Sequence, residues 1–142
     1  MLRQKKAELY MGRSLEVARW KTKAENDFTA ASDLFKAESS ATDAICFHCQ
    51  QAVEKYLKAL LINCEMKFQR THDLIVLAEI LSSKYPELEK FKEDFSRLTF
   101  YAVDIRYPNE EFTPDAEEIQ KALKCVKSVR RIFNSIVKRR RR

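Results

Sequence analysis

The sequence predicts an all-α fold, an antiparallel up-and-down bundle of about five helices. Three observations predict it. Apolar residues recur at steps of three and four almost throughout the chain, the period of a helix face. Only one Gly and three Pro occur in 142 residues. The residues are 45% hydrophobic and 34% charged, enough for one packed core under a well-solvated surface. Tight hairpins and phosphate-cradling loops need several glycines, for φ > 0 or close backbone approach. Gly12 alone cannot build a Walker loop or a dinucleotide fingerprint.

The first helix is expected over about 14–38, where Val17, Trp20, Ala24, Phe28, Ala31 and Phe35 form one stripe. Residues 1–13 precede it as an arm or short helix. Ser39, Ser40 and Thr42 interrupt the pattern, with Ser40 as a cap and Asp43 favourable in the first turn of the next helix. Helix two is expected over about 41–65. Ile45, Cys46, Cys49, Ala52, Val53, Tyr56, Leu57, Leu60, Leu61 and Cys64 cover about half its circumference, with Gln50 at the edge. His48, Gln51, Glu54, Lys55 and Lys58 lie on the other half, with Phe47 and Ile62 among them. A helix this apolar is buried on more than one side, so it should be the centre of the fold.

Thr71 is the expected cap of helix three, about 72–83, with Leu74, Leu77, Ala78 and Leu81 inward. Tyr85-Pro86 ends it. Helix four, about 87–105, carries Leu88, Phe91, Phe95, Leu98, Ala102 and Ile105. A loop, Arg106-Tyr107-Pro108-Asn109, comes next. Thr113 as cap and Pro114 at the first helical position start helix five, which runs to about 137 on Ile119, Leu123, Val126, Val129, Phe133 and Ile136. Residues 14–137 thus form one bundle, and 138–142 a basic tail.

The net charge is +6 but unevenly spread. Residues 1–23 hold seven basic and two acidic side chains, and Lys138 to Arg142 are all basic. The span 24–137 holds fifteen basic and nineteen acidic ones. The tail is expected to fray, serving as a solubilising extension or touching RNA, DNA or an acidic partner. No apolar run is long enough to cross a membrane, and no secretory leader is visible, so a cytoplasmic location and reduced, mostly buried cysteines are expected. Cys46 and Cys49 share a helix face, but His48 does not, and no second ligand pair completes a zinc site. No metal, cofactor or catalytic thiol is expected.

The polar half of helix two is the first candidate site. His48, Gln51, Lys55 and Lys58 step by three and four and line one groove. Two ammonium groups can balance phosphate, while Gln and His can hydrogen-bond a base or sugar. The alternative is a solvated face with Glu54 and Lys58 as an ordinary surface pair. His72-Asp73 open helix three, where Asp73 complements the helix dipole and the imidazole can hydrogen-bond. Arg106 sits on a loop held by helices and can bind a phosphate bidentately, or pair with Asp104 or Glu110.

These residues resemble a known family. Phe47-His48-Cys49-Gln50-Gln51-Ala52-Val53-Glu54-Lys55-Tyr56-Leu57-Lys58-Ala59-Leu60-Leu61 resembles the second-helix signature of HEPN domains. Thr71-His72-Asp73-Leu74 is similar to that family's third-helix start, and Tyr101 with Arg106-Tyr107-Pro108 to its motif after helix four. The resemblance covers about 14–137. It implies a homodimeric helical bundle of the kind paired with a minimal nucleotidyltransferase in a toxin–antitoxin-like module, binding nucleotide or RNA. By position, the implied binding residues are Gln51, Lys55, Lys58, His72, Asp73, Arg106 and Tyr107. Lys55 and Lys58 would contact phosphate and Arg106 would close the site. Ribonuclease members carry Arg, then four to six residues, then His. After Arg106 the corresponding positions are Glu111, Phe112 and Thr113, so the usual cleavage route is not expected. Two alternatives stand beside the binding module. One is a divergent RNA-cleaving toxin using Arg106 and His72. The other is a purely structural dimer whose interface is the polar face of helix two, with Phe47 and Ile62.

Overall fold

The computed structural model describes residues 2–102 and 113–140, with side chains as far as 139. Among the described residues, five α-helices and one 3₁₀ segment occur in order: α1 (Leu2–Lys36), α2 (Thr42–Asn63), α3 (Leu74–Ser82), the 3₁₀ turn Pro86–Phe91, α4 (Lys92–Thr99) and α5 (Ala116–Arg140). The fold is the expected all-α bundle. α2 touches every other α-helix, so the most apolar segment is also the central one. Tyr56, Leu57, Leu60 and Leu61 on it are fully buried, as are Phe95 of α4 and Phe133 of α5.

Cross-helix pairs fix the directions. Arg13, Trp20 and Asp27 of α1 meet Glu65, Lys58 and Lys55 in falling order, so α1 runs antiparallel to α2. The rings of Tyr56 and Phe133 meet at a tilt with centroids 5.2 Å apart, and Asn63 lines one groove with Asn134 and Lys138, so α5 runs alongside α2 in the same sense. His72 bonds Glu54 while Tyr85 bonds Cys64, so α3 also points the way of α2. The link between α2 and α3 therefore returns along the length of α2 before α3 begins. α3 and α4 then pair antiparallel, with Leu74 N–H donating to Thr99 Oγ1 at 3.1 Å.

Several element ends differ from the sequence expectation. α1 does not begin near 14; residues 2–13 belong to the same helix. No Pro or capping residue breaks it, and Gly12 lies on open helix surface with nothing within 4 Å of a built Cβ. No side chain from 2 to 12 is buried, which explains why no apolar stripe marked this stretch. Ser40 does not cap α2. Ala41 occupies the cap position without a side-chain bond, and Ser39 Oγ accepts from Ala41 N–H instead. The cap of α3 is Asp73, whose carboxylate accepts from Ile75 N–H at 2.9 Å, while Thr71 Oγ1 supports Asp73 N–H one step earlier. The expected helix four divides at Phe91 into a 3₁₀ turn opened by Pro86 and the short α4. At α5, Asp115 rather than Thr113 accepts from the third helical N–H, that of Glu118, at 2.8 Å. The basic tail is helical as far as Arg140 rather than frayed.

α1 and α2 both end in Schellman turns. Ser39 N–H reaches Leu34 O and Glu38 N–H reaches Phe35 O. Met66 N–H reaches Leu61 O and Glu65 N–H reaches Ile62 O in the same way. The left-handed residue is usually Gly, but here it is Glu38 at φ 53° and Glu65 at φ 56°.

Candidate functional site

The polar half of α2 is covered by α1 and by the segment leading into α3. Lys55 Nζ bonds Asp27 Oδ2 of α1, and His48 Nδ1 lies 2.9 Å from Asp27 Oδ1. Lys58 Nζ lies 3.0 Å from Glu54 Oε2, and 5.6 Å from the ring centroid of Trp20. The side chains of Lys58 and Glu54 are only 8% and 4% exposed. The reading of this half as a solvated face, with Glu54 and Lys58 an ordinary surface pair, is thus corrected. A surface pair contributes little, whereas a buried one leaves an uncompensated charge if either partner is lost.

Glu54 is the hub. Its Oε1 accepts from His72 Nδ1 at 2.8 Å and from Gln50 Nε2 at 3.1 Å. Gln50 Nε2 also reaches His72 O at 3.2 Å, and Gln51 Nε2 donates to Gln50 Oε1 at 2.7 Å. A carboxylate only accepts, so Nδ1 of His72 carries the proton in this couple. The His72 side chain is 62% exposed, and Nε2 makes no hydrogen bond among the described residues. An imidazole oriented from behind by a buried carboxylate, with its second nitrogen free, can donate to or accept from a ligand.

The candidates therefore separate. Gln51, Lys58 and His72 join one network through Gln50 and Glu54. Lys55 joins a second network, with Asp27 and His48. Asp73 caps α3 and so fixes the backbone that carries His72. Arg106 and Tyr107 lie outside the described residues. Each ammonium already has a carboxylate partner, so neither is a bare phosphate ligand.

Asp27, Glu54, Gln50 and Trp20 were missed as site residues. A signal for two of them was present. Asp27 falls in the stepped stripe Val17, Trp20, Ala24, Asp27, Ala31, Leu34, a carboxylate where an apolar side chain is due. Glu54 stands in the row Gln50, Glu54, Leu57, Leu61 in the same manner. An acid on a buried row calls for a paired cation, here Lys55 on the facing helix for Asp27 and Lys58 one turn along α2 itself for Glu54.

Three of the cysteines, Cys46, Cys49 and Cys125, are in the core. Burial, then the neighbouring Cys46 and Cys125, pushes the Cys49 thiol well above its ordinary range, and burial does the same for Cys125. A thiol held protonated is a poor nucleophile. Cys64 is half-buried and contacts Tyr85 Oη at 3.2 Å.

The family model described as the HEPN domain matches residues 17–138. The chain belongs to the HEPN family. In this HEPN domain the second-helix signature lies on the central α2, and its polar members bind that helix to α1 and to the start of α3. The HEPN match carries the broad reading of a nucleotide- or RNA-related helical module. Among curated proteins and among solved structures, none matches the chain. No helix among the described residues is long and apolar enough to cross a membrane.

Proposed function

We propose that the protein is a homodimeric HEPN module that binds nucleotide or RNA and serves as the partner of a minimal nucleotidyltransferase in a toxin–antitoxin-like system, acting in the cytoplasm. The observation that carries this reading is the family match over 17–138, together with a polar network that leaves His72 facing outward. In this reading Gln51 and His72 contact the base or sugar. Lys55, one-fifth exposed and shared with Asp27, and Arg106 supply positive charge to phosphate. Lys58 and Asp73 act indirectly, by holding Glu54 and the start of α3. The α2 face suggested by sequence as a dimer interface is closed by α1 of the same chain. Apolar surface available to a second copy includes Val76 and Phe100, 42% and 55% exposed, where the start of α3 adjoins the end of α4.

Titration calorimetry with ATP, other nucleotides and short RNA tests the ligand. Heat lost in His72→Ala supports the site, and no heat at millimolar ligand removes it. Light scattering tests the dimer, and co-purification with the product of an adjacent gene tests the partner.

The Glu54–His72 couple favours one second reading, a divergent ribonuclease. Its imidazole is positioned for proton transfer without the family's usual dyad. Cleavage of total RNA that disappears in both His72→Ala and Arg106→Ala would promote this reading over the first.

A further inference from the structure

The two basic ends of the sequence meet in space. α1 and α5 run antiparallel, and Tyr10, Arg13 and Lys21 of α1 face Asn134 and Lys138 of α5 across a groove of about 440 Å³. Asn63, the last residue of α2, lies in its wall. No carboxylate lines this groove. Arg13 is tied to Glu65 just beyond it, while Lys21 and Lys138 have no ion pair among the described residues. The groove also opens where the chain concentrates charge, since residues 1–23 hold seven cations and the last five residues are all cationic.

Asn63 adds a second, independent observation. It is 9% exposed, and its Nδ2 donates to nothing. A buried amide donor left without a partner is destabilising, and an apolar residue at the end of α2 would avoid that loss. The amide has no open surface in this conformation, so an anion with acceptor oxygens meets it once the side chain turns from the wall into the cationic groove. The half-exposed Tyr10 ring at the edge offers a flat face, already engaged by Arg13 at 5.4 Å.

We propose that this groove binds the phosphodiester backbone of a single-stranded nucleic acid, with a phosphate on Asn63, Lys21 and Lys138 and a base on Tyr10. Cations along a slot with an aromatic at the rim are how proteins hold single strands. A duplex is too wide to bring a phosphate between two neighbouring helices as far as Asn63. An acidic peptide would use the cations but not the ring. The site shares no residue with the network around Glu54 and stands or falls apart from it.

Fluorescence anisotropy of a labelled twelve-nucleotide oligothymidylate, with the full chain, tests the proposal. Two cations on one strand, Lys21 and Lys138, give a fall of log K with log salt of slope about −1.4. The double variant Lys21→Glu/Lys138→Glu is expected to lose at least tenfold in affinity. The matched change Lys92→Glu/Lys127→Glu, on exposed positions elsewhere, is expected to leave affinity unaltered. Tyr10→Ala is expected to weaken binding about fivefold to a hundredfold. Asn63→Leu is expected to weaken binding while the protein melts no earlier, which separates ligand loss from misfolding. Equal losses in the two charge-reversal pairs would overturn the proposal, because attraction would then follow net charge alone. Loss in His72→Ala but not in Lys21→Glu/Lys138→Glu would also overturn it, placing the strand on the α2 face. A polyglutamate peptide competing as well as unlabelled oligonucleotide, with Tyr10→Ala silent, would overturn the choice of nucleic acid.

Discussion

Lys58 and His72 reach the same carboxylate from opposite sides, Lys58 Nζ at 3.0 Å from Glu54 Oε2 and His72 Nδ1 at 2.8 Å from Oε1. One of the two is buried and the other faces solvent. The arrangement ties the exposed ring to the interior, and it sets the first prediction. Glu54→Ala leaves the Lys58 ammonium buried without its partner, so urea denaturation should show a loss of about 3–5 kcal/mol. Combining Glu54→Gln with Lys58→Met removes both charges and should recover most of that loss.

Asp27→Asn should destabilise less, by about 1 kcal/mol, because Lys55 is one-fifth exposed and can turn to water. Comparing urea midpoints of the Asp27 and Glu54 variants tests this order. Equal effects would mean that burial does not separate the two networks.

Stability should fall as the solution becomes alkaline. Cys49, Cys125 and Tyr56 all have pKa values raised in the folded state, by burial first and, for Tyr56, then by Glu25 against an opposing Arg130. A group whose folded pKa is raised contributes fully below its unfolded value, about 8.5 for Cys and about 10 for Tyr. Its contribution declines as pH climbs past that value toward the folded one. Urea midpoints should therefore drop between pH 8 and pH 10.5, and a Cys49→Ala/Cys125→Ala variant should drop less. At pH 8 a thiol-reactive dye should label Cys64 before the three core cysteines, which react only on unfolding.

Glu38→Gly should stabilise the protein by about 1 kcal/mol, since Glu38 holds φ 53° with a Cβ that disfavours it. Glu65→Gly relieves the same strain at φ 56° but forfeits the bond from Arg13, so its gain should be smaller. Thermal melts of the two variants test this ranking.

The sequence made the α2 spine legible because Val53, Tyr56, Leu57, Leu60, Leu61 and Cys64 repeat at helical steps and outnumber the polar residues set among them. The ends of α1, α2 and α3 were legible to within a residue or two, but the start of α1 and the end of α4, at Thr99 rather than about 105, were not. Thr71 and Asp73 are both good cap residues, and only the geometry decides that Asp73 takes the bond while Thr71 braces it. Lys58 read as a surface lysine because a helical wheel shows one helix at a time. What buries it is Trp20 on α1, a partner set by how the two helices align. The return of the chain along α2 left no trace in periodicity either, since the residues that make it belong to no helix.

α1 meets α2 partly through small side chains, Ala24 and Ala31, which offer little to resist sliding. Asp27 with Lys55, and Trp20 with Lys58, act as detents on this smooth track. A slip by one turn, about 5.4 Å, would pull both pairs apart at once. Polar side chains that contribute little adhesion thus help index one helix against another, beside the larger Val17, Trp20, Phe28 and Leu34 that α1 packs on the core.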